Sequence, residues 1–353
     1  MFKISNPSEA RGNTITAREI LDKSSKDIKT GLSKDPEVQS QMMSVMSRTY
    51  AGLGLYSRAY DLAKGALDSR LSLLGPNDPK TLESEGQVGV DLAYQGHYDE
   101  AQKMLRQAAE GERRVLGTED RLTLETMDRW AAVRGLQGHY DEEEKLEREV
   151  IEIGMRKLGA ENEQLLRART NLVSALWNLA RYADAEQEDR QLVALDRRVL
   201  GPDAPGTLLS MGNLALVLKS EDRYSEAEAQ NREILAADQR VMGPEHPATA
   251  NTMENLSSLL IEEGHLPEAE KLSREALMIR TRGLGPDHPD TLVSKINLSI
   301  VLFKEGNLSE AEKLQREALA TSVRVQGAEH PRSLDMQTDL AQTLNAEGHY
   351  GAA

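Results

Sequence analysis

Seven glycines, Gly75, Gly117, Gly159, Gly201, Gly243, Gly285 and Gly327, stand 42 residues apart without a slip. A second series keeps the same interval: Gly54, Gly96, Gly138, Ala180, Asp222, Gly264, Gly306 and Gly348. Five residues beyond each of these come Ala59, Ala101, Glu143, Ala185, Ala227, Ala269, Ala311 and Ala353. A register held this long is the mark of a repeat array, in which each unit buries its apolar face against its neighbours.

The stretch Leu284–Leu319 specifies the unit. Thr291, Leu292, Leu298 and Leu302 lie at helical spacing and predict a first helix that stops near Gly306. Ser309-Glu310-Ala311-Glu312 predicts the start of a second helix, with Ser309 and Glu312 as a capping box. Gly327 ends it, since glycine best tolerates the left-handed turn after a helix. Pro286 and Pro289 block helix continuation between units, and Pro289 suits the first position of the next helix. The alanine series lets the two helices approach closely. No unit alternates with the period of a strand, so the chain is expected to be all-α.

At these residues the chain resembles a known family. The pattern Leu-x7-Gly-x-Tyr-x2-Ala, carried from Leu340 and, with Asp222 in the glycine place, by Leu214–Ala227, is similar to the tetratricopeptide repeat (TPR). The LGP(D/E)HPxT linkers and AExLxREAL second helices resemble the kinesin light chain variety. The resemblance covers residues 37–353 and implies a right-handed superhelix, an α-solenoid. Seven full repeats are expected over 37–78, 79–120, 121–162, 163–204, 205–246, 247–288 and 289–330, with a partial eighth over 331–353. The third unit departs from the pattern, with Trp130 at a core leucine position and Glu143 for the usual alanine; Ala180 and Asp222 replace turn glycines.

Residues 1–36 read differently. Residues 1–14 are polar and predict an irregular arm, and Ile20, Leu21, Ile28 and Leu32 predict a capping helix over Thr16–Leu32. The segment NPSEARGNTITAREILDKSSKDI resembles the connector that follows the catalytic domain in bacterial serine/threonine kinases with C-terminal TPR repeats. The chain is therefore expected to be a fragment, and the uncovered eighth unit to continue or to pack on a partner.

Charge and composition narrow the function. A net charge of −15 argues against a nucleic-acid partner. The absence of cysteine excludes disulfides and thiolate metal sites. No apolar run approaches the roughly 20 residues of a membrane helix, so no membrane insertion is expected. The expected location is cytoplasmic, or extracytoplasmic if the parent protein places a membrane helix upstream. The histidines (His97, His139, His246, His265, His288, His330 and His349) recur with the repeats and so lie on different layers, which favours loop and capping roles over a shared metal ion. Glu144/Arg148, Glu186/Arg190, Glu228/Arg232, Glu270/Arg274 and Glu312/Arg316 are spaced for ion pairs along a solvated helix face. No nucleophile–base–orienter set can be assembled, and no cofactor is implied, so the chain is not read as an enzyme.

The first helices, which line the concave surface according to the family resemblance, carry the candidate site. Asn171, Asn213, Asn255 and Asn297 occupy one register position. Each amide offers a donor and an acceptor to an extended peptide, or else ties adjacent helices together. Beside them Val293, Ile296, Ile300 and Phe303 form an apolar stripe on a face different from Leu298 and Leu302, with Leu209, Leu216, Ile261 and Trp177 at equivalent places. Trp130 is assigned to the core. Arg167, Lys219, Glu254 and Lys304 add charge. The expectation is a non-catalytic protein-interaction scaffold that holds an extended peptide or partner protein, the docking or sensor part of a larger signalling protein. The alternatives are a kinase regulatory region that self-associates through its C-terminal repeat and an enzyme with an unrecognised site, for which the sequence offers no residues.

Overall fold

The computed structural model describes residues 34–328 and 331–348, together with Leu21, Ser25, Asp27, Ile28, Gly31 and Leu32. The expected N-terminal arm, most of the capping helix, His330, His349 and Ala353 lie outside the described residues. Among the described residues all regular structure is helical, in fifteen helices and no strand.

The chain divides into two compact units, residues 1–179 and 180–353. The first contains α1 (Pro36–Gly52), α2 (Tyr56–Leu74), α3 (Pro79–Tyr94), α4 (Tyr98–Val115), α5 (Arg121–Leu136), α6 (Tyr140–Lys157) and α7 (Glu163–Asn178). The second contains α8 (Tyr182–Val199), α9 (Pro205–Ser220), α10 (Tyr224–Val241), α11 (Pro247–Glu262), α12 (Leu266–Leu284), α13 (Pro289–Glu305), α14 (Leu308–Gln326) and α15 (Pro331–Ala346). Within each unit every helix packs on the next in sequence.

Local chemistry sets the helix ends. Asp78, Asp120 and Asn162 cap α3, α5 and α7 by accepting from the N–H two residues on, at 2.9, 2.8 and 3.0 Å. His246 and His288 do the same for α11 and α13 through Nδ1, at 3.2 Å each, which is the capping role their register suggests. The linker threonines have a further task. Thr123, Thr207, Thr249 and Thr291 each donate to the carbonyl of the helix-ending glycine six residues earlier, at 2.7–2.9 Å. Those glycines have φ of 92–100°, where a side chain would be strained. In the turn inside each repeat, where glycines such as Gly264 and Gly306 have φ of 79° and 82°, Ala180 and Asp222 keep the left-handed backbone with φ of 57° and 60°.

The capping box expected at Ser309 and Glu312 is not formed. α14 begins one residue earlier, at Leu308, and its N-cap Asn307 makes no side-chain cap bond. Glu312 instead accepts from Arg316 at 2.6 Å. The chain leaves the tight Gly306 turn directly into helix, so no extended residue is left where Ser309 could act as a cap.

Between helices the small-residue series does what its spacing suggests: Ala59, Ala101, Ala185, Ala227, Ala269 and Ala311 are fully buried at helix crossings. Around them pack Met46, Tyr50 and Leu62 in the first unit, and Met211, Leu214, Leu218, Leu256 and Leu260 in the second. A buried polar link accompanies this core. Residues fourteen apart join a second helix to the following first helix: Arg70 to Ser84 (2.7 Å), Asp196 to Ser210 (2.5 Å), Asp238 to Thr252 (2.6 Å) and Arg280 to Ser294 (3.1 Å). On the surface the Glu/Arg pairs form as spaced, and Arg190, Arg232 and Arg274 also reach Glu226, Glu268 and Glu310 of the next repeat at 2.9–3.0 Å.

Candidate peptide-binding face

In the second unit the first helices α9, α11 and α13 present the ladder and the stripe. Leu209 and Leu216, seven residues apart, share a face of α9 opposite the buried Met211, Leu214 and Leu218; they are 57% and 45% exposed. Together with Gly212, Asn213, Lys219 and Asn255 they border a depression of about 410 Å³, floored by Asn231 and Ile234. A second depression, of about 640 Å³, is bordered by Asn255, Ile261, Asn297, Ile300, Arg280 and Arg332. Asn255 stands on the edge of both.

The asparagine ladder divides into two kinds of residue. Asn171, on α7 of the first unit, donates to Glu147 at 3.0 Å and to Asp128 at 3.3 Å, so it braces two buried carboxylates. Asn297 lies beside Glu254 and helps to lower its carboxyl. Asp128 and Glu254 each stand 43 positions before the asparagine they face, in the first helix of the preceding repeat. For Asn255 that position is Gly212, which has nothing to offer. Asn213 is half-buried and Asn255 exposed, and neither carries a side-chain hydrogen bond of this kind.

Gly212 is a residue the sequence reading passed over. Its register partners from the third repeat to the seventh, Asp128, Thr170, Glu254 and Ile296, all carry side chains. Glycine inside a helix costs about 1 kcal/mol relative to alanine. A Cβ on Gly86, also in this register, would touch Thr126 and Ala108 at ordinary contact distance, whereas a Cβ on Gly212 would meet nothing within 4 Å. The available signal was an interior helical glycine where its neighbouring repeats have Thr170 and Glu254.

The remaining expected residues are placed as follows. Lys219 crosses from α9 to donate to Ser258 at 2.8 Å, and no carboxylate pairs with it among the described residues. Ile261 packs partly on Leu256, Leu260 and Val301. Phe303 lies against Leu298, Leu302 and Ala311, rather than on a separate face, because its ring spans the border between the two sides of α13. Lys304 is exposed, as is Arg167 on α7, while Trp177 is half-buried there. Trp130 packs on the core of the first unit, with its Nε1 buried and without a partner.

Beneath the second depression Glu254 and Arg280 form a buried pair at 3.1 Å. Burial pushes the Glu254 carboxyl up, against the pull of Ser294 and Arg280. Arg280 also donates to the Asp290 carbonyl at 2.8 Å and to Asn251. Among the described residues one cluster has metal-ligand spacing: atoms of Glu228, Glu263 and His265 lie within 4.8 Å of one another. The histidine there meets glutamates rather than other histidines. Arg232 holds Glu228 at 2.5 Å and Ser225 holds Glu263 at 2.7 Å.

The sequence profile of the tetratricopeptide repeat matches residues 39–111, 87–154, 164–240, 221–282, 262–322 and 291–353. The chain belongs to the tetratricopeptide repeat family. TPR proteins generally mediate protein–protein interaction, and the fold typically serves as a non-catalytic scaffold. No curated protein matches the sequence. Among solved structures, a Podosopora anserina protein named for the kinesin light chain, with nearly identical TPR-like repeats, is 23% identical. The match has a TM-score of 0.53 and covers 57% of this chain and 96% of that one. BtubC (BKLC) from P. vanneervenii is 20% identical, with a TM-score of 0.57 over 66% of this chain and 94% of that one. The signal transduction ATPase with numerous domains (STAND) from Pyrococcus horikoshii, which has a TPR sensor, is 13% identical with a TM-score of 0.64. That match covers 95% of this TPR chain and 47% of the ATPase. These likenesses establish the fold, and kinesin light chain-like TPR proteins are among the structures that share it. No helix among the described residues is long and apolar enough to cross a membrane.

Proposed function

We propose that this TPR array binds an extended peptide segment of a partner protein along α9, α11 and α13. One observation carries the reading: Asn213 and Asn255, unlike Asn171 and Asn297, are not engaged by buried carboxylates, and they open on neighbouring depressions. A free amide there satisfies the N–H and C=O of a peptide backbone and tolerates many sequences. Leu209, Leu216 and Ile300 supply apolar contact beside the amides. Lys219, an ammonium with no carboxylate partner among the described residues of a chain of net charge −15, favours an acidic residue in the bound segment.

In this reading the array is the docking or sensor part of a larger signalling protein, a role in keeping with the TPR sensor of the P. horikoshii ATPase. An extended segment loses chain entropy on binding, so an affinity near 1 μM, about −8 kcal/mol, is expected. The test is a random dodecapeptide display library panned on the chain. The strongest binder, fluorescein-labelled, is titrated into wild type and the Asn213→Ala/Asn255→Ala variant. A tenfold or greater loss of affinity at an unchanged Tm supports the reading. Unchanged affinity in the double variant overturns it.

A further inference from the structure

Gly212 occupies the middle of α9, where glycine weakens a helix, and the fold gives it no packing reason to be there. Its φ is not in the left-handed region, so no turn requires it. No neighbouring backbone approaches it, since a Cβ would meet open space. What its missing side chain does accomplish is visible on both sides. It leaves the depression of about 410 Å³ open between Leu209 and Leu216, and it leaves Asn255 without the carboxylate that Glu254 gives to Asn297. One absent side chain thus produces both the apolar space and the free amide beside it.

We infer that Gly212 is the specificity-determining residue of this face, and that the space above it receives one large aliphatic or aromatic side chain of the bound peptide. This rests on the peptide-binding reading above and goes further by fixing the anchor position. Leu209 and Leu216 flank the entering side chain, Ile234 lies beneath it, and Asn213 and Asn255 take the backbone on either side. Lys219 at the rim places an acidic group of the peptide next to the anchor. The other first helices of the second unit that line this face carry side chains at this register. Ile296 stands there in α13 and Glu254 in α11, so the anchor pocket is assigned to the fifth repeat.

The experiment uses the panned, fluorescein-labelled dodecapeptide, titrated into wild type, Gly212→Ala, Gly212→Ile and Asn213→Ala/Asn255→Ala, with Tm measured for each. Gly212→Ile copies the residue of the seventh repeat and should lower affinity at least tenfold. Gly212→Ala should lower it by a smaller factor while raising Tm, a combination that damage to the fold does not give. Each large apolar residue of the peptide is also replaced by alanine in turn. One replacement should weaken binding to wild type strongly and binding to Gly212→Ile little, identifying the side chain that enters. If both Gly212 variants bind within twofold of wild type while the asparagine variant loses binding, the pocket is not the anchor and the groove reading stands. If all variants bind alike, or panning enriches no peptide, both fall. Should Gly212→Ile lower Tm, Gly212→Ala decides alone: higher Tm with weaker binding upholds the pocket, higher Tm with unchanged binding removes it.

Discussion

The Glu143 carboxylate occupies the space that a side chain on Gly135 would need. Every other described repeat has alanine at the Glu143 position and a residue with a Cβ at the Gly135 position: Ala51, Ala93, Trp177, Lys219, Ile261 and Phe303. The third repeat has exchanged the two, moving bulk from the first helix to the second. Burial pushes the Glu143 carboxyl up to about 7.

Gly135→Ala should therefore destabilise the first unit by about 1–3 kcal/mol through overpacking. Glu143→Ala alone should cost little, because it removes a buried acid while opening a small void. The double variant restores the arrangement of the other repeats and should recover the loss. Urea denaturation of the four proteins gives the coupling, and additive effects would mean the two residues do not compete for one space.

Arg274 and Arg280 stand on the same helix with different surroundings. Arg274 bridges Glu270 at 2.7 Å and Glu310 at 2.9 Å, all partly exposed, so screening limits its worth. Arg274→Ala should cost about 1 kcal/mol or less and matter less still in 1 M salt. Arg280 is 4% exposed and holds Glu254, Ser294, Asn251 and the Asp290 carbonyl. Arg280→Ala leaves a buried carboxylate alone and should cost about 3–5 kcal/mol. The two denaturation midpoints, compared at low and high salt, test the contrast; equal losses would refute it.

The repeat was legible because everything that defines it is local: glycines at helix ends, proline at helix starts, alanine at crossings. The linker threonine was visible as a pattern, but its bond to the preceding glycine carbonyl needed the turn in three dimensions. The asparagines were ambiguous for a specific reason. Whether each one braces the array or faces solvent depends on residues 24 and 43 positions earlier, such as Glu147 and Asp128 for Asn171. Those separations become contacts only once repeats are stacked. Phe303 and Ile261 were harder to place, since each sits where the packed and open faces of its helix meet.

Acids buried among apolar neighbours give the chain a pH dependence opposite to that of its surface pairs. Asp189, fully buried on α8 with both carboxyl oxygens unpartnered, is pushed from 3.8 to about 8, first by burial and then by Asp196 and Glu188. Burial likewise raises Glu112 on α4 to about 8. The folded chain keeps these protons and the unfolded chain gives them up. Their stabilising effect is therefore complete below the ordinary carboxylate range and is lost as pH rises to about 8, with no further loss above. Surface glutamates such as Glu226 and Glu310, lowered mainly by hydrogen bonds from Arg223 and Arg274, act the other way and only below the ordinary carboxylate range. Between about pH 5 and 8 the buried acids should dominate, and Tm should fall as pH rises. Asp189→Asn removes one ionisable proton with little change of shape. It should raise Tm at pH 8 by several degrees, on the order of a few kcal/mol, and bring little gain at pH 5. Parallel Tm–pH curves for the variant and the wild type would show that Asp189 stays ionised in the folded chain, and the buried-acid account of its pH dependence would fail there.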